Sequence, residues 1–489
     1  MTQWIGVLYM ATLAGLALYA MHITALLLLY LKHRRDPGPV PPNLAEAACP
    51  MVTIQIPLRN EPSVARRVLA AAVAQRWPQD KLEIQLLDDS DDETPALLRA
   101  EVTRYRARGF DVTLLHRARP TGYKAGALAE GLRHAQGECI AIFDADFCPD
   151  PDFLQHTVPH LVADPALGWV QARWGHLNAD YSAVTRAQAL ALDAHFVIEQ
   201  TARHRAGLLL NFNGTAGVWR RQAIAEAGGW QSDTVAEDLD LSYRAQLAGW
   251  RGRYLPDVVA LAELPPLVTA FKQQQYRWAK GAMQCLRKLA GPILRSPRLK
   301  PHQKALALLH LSGYLPQPLF LLLTLLAVPM ALFPPRVPPL AASLGAITMI
   351  LPLFYFTAQI ATYRDWPRRV LYYPVLMLLG IGISWSTTLA LLDGAFHWGG
   401  EFVRTPKYRL DRHRGAFPLA SPYRFRLNAL LIGEVFLGMY ALIALALAHQ
   451  LPGDSVTPIS LIALGGIAWV IGSPLYHSAR QRANQKGTR

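Results

Sequence analysis

The chain has 489 residues, 52% of them hydrophobic, and a formal net charge of +14; its mean hydropathy of +0.14 exceeds what a soluble protein usually shows, so membrane segments are expected. The basic residues cluster just outside the apolar runs, as the positive-inside rule predicts, which argues against nucleic acid as a partner. Four cysteines, Cys49, Cys139, Cys148 and Cys285, show no CxxC or ligand-like spacing and read as packing residues in a reducing cytosol rather than a disulfide or metal framework.

The first apolar run, Trp4 to Leu31, lacks a basic start and is longer than the roughly 7 to 15 apolar residues of a signal-peptide core, so residues 1–36 are expected to be a retained anchor. Lys32, His33, Arg34 and Arg35 follow at once and put that end of the anchor in the cytosol. A Pro-rich linker, Pro37 to Pro42, then leads into a region with no apolar stretch long enough to cross a bilayer. In it, short β-rich runs at Val52–Pro57, Ile84–Leu87, Val112–Leu115 and Cys139–Phe143 alternate with helical segments at Ser63–Arg76 and Pro95–Arg108. That alternation predicts an α/β domain over residues 50–300 with a mostly parallel sheet.

From Ala305 the composition returns to membrane type, and residues 301–479 are expected to hold helices over Leu306–Leu332, Leu340–Ala361, Val370–Leu392, Leu427–His449 and Pro458–Tyr476. Both flanks of the third run are basic, with Arg364, Arg368 and Arg369 before it and Arg404, Lys407, Arg409, Arg412 and Arg414 after it, and one straight crossing cannot satisfy both. Pro374 breaks that run, Gly380 and Gly382 loosen it, and Ser384–Ala395 is expected to lie at the interface as an amphipathic helix before a loop within residues 394–414. With that choice the tail, residues 480–489, also ends in the cytosol.

Four motifs carry the candidate chemistry, and ligand sites of open α/β sheets gather at the carboxyl ends of strands. Asp88-Asp89-Ser90 directly follows a strand and can accept hydrogen bonds from a base and ribose, although the same residues make a plausible helix-capping turn. Asp144-Ala145-Asp146 follows the next buried run and suits Mg²⁺ or Mn²⁺, hard cations that take oxygen ligands, or else a solvated acidic turn. Glu237-Asp238 opens a helix, where Asp238 fits a general base and the pair also suits the helix dipole. Gln274-Gln275-Tyr276-Arg277-Trp278 can hold a diphosphate through Arg277 and stack a sugar on Trp278, or serve as an interfacial belt. Lys124, between Gly122 and Gly126, is a further candidate phosphate contact.

The order DDS, DAD, ED and QxxRW resembles that of the membrane-integrated family 2 glycosyltransferases, the group containing cellulose, hyaluronan and chitin synthases, over residues of about 50 to 410. The nearest likeness is to the plant cellulose-synthase-like A mannan and glucomannan synthases, carried by Asn211 to Arg220, Ala227-Gly228-Gly229-Trp230 and Glu237 to Leu241. The resemblance implies a GT-A fold and an inverting transfer from a nucleotide diphosphate-sugar, GDP-mannose or UDP- or GDP-glucose. It assigns Asp88 and Asp89 to the nucleoside, Asp144 and Asp146 to metal and diphosphate, and Asp238 to the base, with Glu237 beside it. It further implies nucleotide contacts at Arg59, Asn60 and Glu61, an acceptor site with Asn213, Gly214, Thr215, Gln274, Arg277 and Trp278, and a gating loop at Phe402-Val403-Arg404-Thr405-Pro406-Lys407 in which Arg404 and Lys407 approach the diphosphate. One anchor helix stands where bacterial cellulose synthases carry more, and no domain for a cyclic dinucleotide follows, which leaves product and regulation open.

The reading preferred on these residues is a processive synthase in the inner (plasma) membrane, with its catalytic domain in the cytoplasm, that extends a β-1,4-linked mannan or glucan. A non-processive enzyme that glycosylates a lipid such as diacylglycerol is the alternative, and a transporter or scaffold with a degenerate domain is a third reading that the intact carboxylates oppose.

Overall fold

The computed structural model describes residues 2–400 apart from 37, 39 and 42, together with 407–410, 429–448 and 457–487. Eight strands form one sheet in the order β3-β2-β1-β4-β7-β6-β8-β5, where β1 is Val52–Leu58, β2 Leu82–Asp88, β3 Asp111–His116, β4 Cys139–Ile142, β5 Cys148–Pro149, β6 Leu167–His176, β7 Gly217–Arg220 and β8 Arg251–Ala262. The first three and β4 are parallel neighbours. β7 then runs antiparallel to both β4 and β6, and β8 runs parallel to β6. Two inversions restore the original direction, so β1, β2, β3, β4, β6 and β8 all end at the same edge of the sheet.

The near-continuous apolar strands are buried on both faces, as parallel sheets require. On one face the helices Pro62–Val73, Thr94–Arg106 and Phe153–Ala163 pack through Val68, Leu98 and Val158. On the other, Tyr123–His134 and Glu237–Ala248 pack through Leu128 and Leu241, beside the stacked rings of Trp169 and Trp219, whose centroids lie 4.7 Å apart. This is the α/β arrangement with a mostly parallel sheet expected from the alternation in the sequence, here built in three layers. The strands β6, β7 and β8 were not among the expected runs.

Among the described residues, four helices are long and apolar enough to cross a membrane, Thr2–His33, Leu340–Thr362, Leu430–Ala448 and Thr457–Leu475, and two bent pairs raise the number to six if each pair is one span. One bent pair departs from expectation. The run Leu306–Leu332 is not one helix but Pro301–Leu311 and Pro316–Leu332, which meet at 61°. Pro316 lacks an N–H and its ring would clash with the carbonyl of Ser312, so the helix stops and restarts around Gly313. The second pair, Trp366–Gly382 and Ser384–Phe396, bends by 49° at Ile383.

The helix Val268–Arg295 joins the two regions. It holds Ser384–Phe396 through Asp393, which accepts from Tyr276 Oη at 3.1 Å and pairs with Lys280 at 2.8 Å. Two residues before Gln274, Lys272 pairs with the buried Glu434 of the helix Ala429–Ala448.

Candidate active site

Because six strands end together, loops that follow them share one open cleft. Arg59 and Glu61 follow β1, Asp89 follows β2, Asp144 and Asp146 follow β4, and Glu263 follows β8, and all line it. The helix Glu237–Ala248 brings Glu237 and Asp238 at its start, and Val268–Arg295 brings Gln274, Arg277 and Trp278, whose spacing of three and four residues puts them on one helix face.

Lys124 sits at the centre. Its Nζ lies 2.6 Å from Asp144 Oδ1 and 3.9 Å from Glu237 Oε1, and it donates to the carbonyl of Gly214 at 3.0 Å. Burial alone would lower its pKa, but the carboxylates of Asp144, Glu237 and Asp238 outweigh that and hold it above the ordinary lysine value. Asp146 is buried and paired with Lys407 at 2.7 Å, while 35% of the Asp144 side chain is exposed. Burial, followed by the neighbouring Asp238 charge, pushes Glu237 up to about 7. Burial also raises Asp238, against the opposing pull of Lys124.

The loop Asn211–Thr215 closes one wall. Gly214 has φ of +81°, and a Cβ there would meet Asp238 Oδ2 at 2.8 Å and Lys124 Nζ at 3.4 Å, so only glycine allows the loop to lie against both. Thr215 is buried behind the wall, and its Oγ1 accepts from the backbone N–H of Asp144 at 2.9 Å. Asn213 and Gly214 line the cleft, whereas Thr215 supports it from behind.

Two other expected residues are not in the cleft lining. Asp88 is fully buried; its carboxylate accepts from the Ser90 N–H at 3.1 Å and meets His116 Nδ1 at 2.8 Å. Asn60 donates to Asp91 at 2.7 Å and receives the Asp91 N–H at 3.0 Å, tying the loop after β1 to that after β2. Asp89 does reach the cleft, with both oxygens held by Arg117, Nε to Oδ1 at 2.7 Å and Nη2 to Oδ2 at 2.5 Å. Arg117 also donates to the carbonyls of Thr121 and Tyr123, at 3.0 and 3.1 Å, and so sets the turn that delivers Lys124. Arg404 lies outside the described residues.

Sequence reasoning missed Tyr123, Trp174, His176 and Glu263, all of which line the cleft. Glu263 holds Arg67 at 3.3 Å and accepts the backbone N–H of Leu410 at 2.7 Å. It is one more acid at a strand end, and reading Arg251–Ala262 as a strand is the signal that would have found it.

Among the described residues no cluster of three or more His, Cys, Asp or Glu side chains is placed to hold a metal ion. Asp144 and Asp146 still offer hard oxygen donors at a cleft, a set that fits Mg²⁺ or Mn²⁺ completing its shell with water and ligand oxygens.

Residues 50–281 match the model of the family described as Glycosyltransferase like family 2. The chain is 44% identical over 273 residues to glucomannan 4-beta-mannosyltransferase 1 of Oryza sativa subsp. japonica, covering 55% of this chain and 52% of that protein. It is 45% identical over 262 residues to glucomannan 4-beta-mannosyltransferase 7 of Arabidopsis thaliana, covering 53% and 47%. The chain thus matches about half the length of these curated relatives. In fold it is similar to the mannosyltransferase PcManGT of Pyrobaculum calidifontis, solved with GDP-Man and Mn²⁺, with a TM-score of 0.56 and 23% identity over 80% of this chain and 99% of that one. The catalytic-type domain therefore has the GT-A fold.

The buried Glu237 predicts a pH effect on stability. Its raised pKa means that the folded state binds the proton more tightly than the unfolded state, so its contribution is present at low pH and lost as pH rises through about 7. Glu237→Gln should therefore melt with the unaltered protein at pH 5 and a few degrees above it at pH 8. Parallel melting curves across that range would show that Glu237 is not held protonated by its burial.

Proposed function

From a glycosyltransferase family 2 domain over residues 50–281, we propose that this protein transfers mannosyl units from GDP-mannose to the end of a β-1,4-linked mannan. The observation that carries the reading is the convergence of Asp238, Lys124, Asp144 and Arg277 on one cleft whose wall is the helix leading into the membrane region. The names of the relatives, 4-beta-mannosyltransferases, supply the sugar and the linkage.

In this reading Asp238 takes the proton from the acceptor hydroxyl, and burial strengthens it as a base. The acceptor oxygen attacks the anomeric carbon from the face opposite the nucleotide, and the configuration inverts. Lys124 and Arg277 offset charge on the departing diphosphate, and Lys407 exchanges its contact with Asp146 for the diphosphate when donor is present. Asp144 and Asp146 would hold a divalent cation, which supplies electrostatic stabilisation of the leaving group when bound. Asp89 and the Arg117 behind it face the nucleoside, and Trp278 stacks on the acceptor sugar.

Residues 1–36 and 301–479 serve as anchor and membrane region in this reading, the tail beyond residue 480 lies in the cytoplasm, and the domain of residues 50–300 faces the cytoplasmic side of the cell's inner membrane. The product grows processively, because Gln274, Arg277 and Trp278 lie on a helix whose other side contacts Ser384–Phe396 and Glu434, so the acceptor end sits at the entrance to the helical region. Ser384–Phe396 lies at the interface.

The purified protein should release GDP from GDP-mannose and lengthen a mannan oligosaccharide. UDP-glucose as the only productive donor would overturn the sugar assignment, and a single sugar added to a lipid would overturn processivity. Asp238→Asn should abolish transfer while leaving nucleotide affinity within about threefold, and chelation with EDTA should stop turnover in the unaltered protein; affinity falling as far as rate would make Asp238 a binding residue. Gly214→Ala should lower turnover by about 100-fold, since its Cβ displaces Asp238 from its position. A variant with full rate and an unmoved Asp238 would show that the loop has room to yield.

A further inference from the structure

Behind the cleft wall lies a buried polar network that the catalytic reading does not use. The helix Ala183–Asp193 continues through a π-helical stretch, Ala194–Gln200, into Thr201–Arg205, and such wide turns recur at functional sites. Spacing of four residues along it lines up His195, Glu199 and Arg203. Glu199 Oε2 meets His195 Nδ1 at 2.9 Å, and Glu199 Oε1 accepts from Arg203 Nε at 2.8 Å and lies 3.8 Å from His310 Nε2. Arg203, fully buried, donates to His22 Nε2 of the helix Thr2–His33 at 3.3 Å. His310 Nδ1 in turn meets Tyr243 Oη, on the helix that starts with Glu237, at 2.6 Å. Burial disfavours the Glu199 charge, but Arg203, His195 and His310 outweigh it and hold its carboxyl well below the usual range.

The far end of this network fixes an amide. Gln200 Nε2 donates to Asn211 Oδ1 at 2.9 Å and approaches His195 Nε2 at 3.2 Å, and Asn211 Nδ2 donates to Asn213 Oδ1 at 2.8 Å. That same Asn213 oxygen lies 3.0 Å from His195 Nε2. When His195 Nε2 carries a hydrogen, it and Asn211 Nδ2 both donate to the Asn213 carbonyl, from two directions. Its amide nitrogen, in a residue that lines the cleft, is buried without a hydrogen-bond partner among the described residues. An unmet buried donor is destabilising, and an oxygen brought to it recovers that cost.

Resting on the transferase reading above, we infer that His195, clamped by Glu199, is a positioning residue for the acceptor: it holds the carbonyl side of Asn213 so that the Nδ2 amide is the group offered to a hydroxyl oxygen of the acceptor sugar. His195 touches no substrate itself. The orientation of the amide matters because the reverse one would present a carbonyl, which can receive a hydroxyl proton but cannot donate to a hydroxyl oxygen.

The test separates transfer to a sugar from transfer to water. In the full-length purified protein, mannan-oligosaccharide elongation and the slower hydrolysis of GDP-mannose are followed together. His195→Ala should raise the KM for the oligosaccharide about tenfold while the KM for GDP-mannose and the hydrolysis rate change less than twofold. His195→Gln, whose amide can still donate to Asn213, should recover most of the acceptor affinity, and His195→Leu should not. Asn213→Ala should reproduce the acceptor defect, and combining it with His195→Ala should add nothing. Unchanged acceptor KM in His195→Ala, equal losses in elongation and hydrolysis, or additive effects in the double variant would overturn the assignment. If His195→Ala does not fold, the Gln and Leu variants and Asn213→Ala decide it by the same split. An unaltered protein that uses no oligosaccharide acceptor removes the transferase reading, and this assignment with it; one that elongates normally while the split is absent removes this assignment alone.

Discussion

Carboxylates cannot be crowded into a partly dry cleft unless cations share the space, and much of this structure follows from that constraint. Asp144, Asp146, Glu237 and Asp238 reach the cleft from a loop and a helix start far apart in sequence. Lys124 touches the loop and faces the helix start, and Lys407 answers Asp146. Placing Lys124 there fixes a chain of dependencies. Arg117 has to hold the preceding turn, Asp89 has to hold Arg117, and Gly214 has to lack a side chain so that its carbonyl can accept from Lys124 beside Asp238. The residual imbalance also explains the unequal acids at the helix start: with two adjacent carboxylates and one nearby lysine, burial raises both, and Glu237 climbs toward neutrality.

The parts of this arrangement that were legible in sequence are those encoded locally. Acidic pairs directly after apolar runs could be placed at strand ends because a parallel sheet gathers such ends, and Asp144, Asp146 and Asp89 lie there. What local pattern could not separate was a cleft-facing acid from a structural one. Asp88 and Asp89 are adjacent, and alternation along a strand sends one into the core and the next into the cleft; the helix-capping reading considered for this motif is not realised, since Asp88 holds the Ser90 N–H in a turn and the next helix starts at Thr94 with no side-chain cap from Glu93. The strands β6 and β8 escaped notice because their partners are distant: Arg253 pairs with Val170 and Ala260 with Trp174 across a register shift, so neither run shows the regular alternation of a half-buried strand. Glu263 and His176 were missed with them. The break at Pro316 was missed too, although its cause, a proline inside an apolar run, is local.

One helix explains how a cleft and a membrane region can be built from the same short stretch of sequence. In Val268–Arg295 the residues at 274, 277 and 278 turn toward the cleft, while 272, 276, 280 and 287 turn toward Glu434, Asp393 and Gly394. A period of 3.6 residues gives each partner its own stripe, so polar residues close in sequence serve different neighbours. Gln284 extends the same logic a turn later: its carbonyl accepts the N–H of Val235, just before Glu237, and its amide donates to the carbonyls of His397 and Gly399. The approach to the acidic helix and the segment leading toward Lys407 are therefore tied to a single side chain. A shift of this helix along its axis would move Arg277 and Trp278, the approach to Glu237 and the 397–399 segment together. Such shared anchoring makes the cleft wall and the neighbouring helices one mechanical unit, without any separate connecting element.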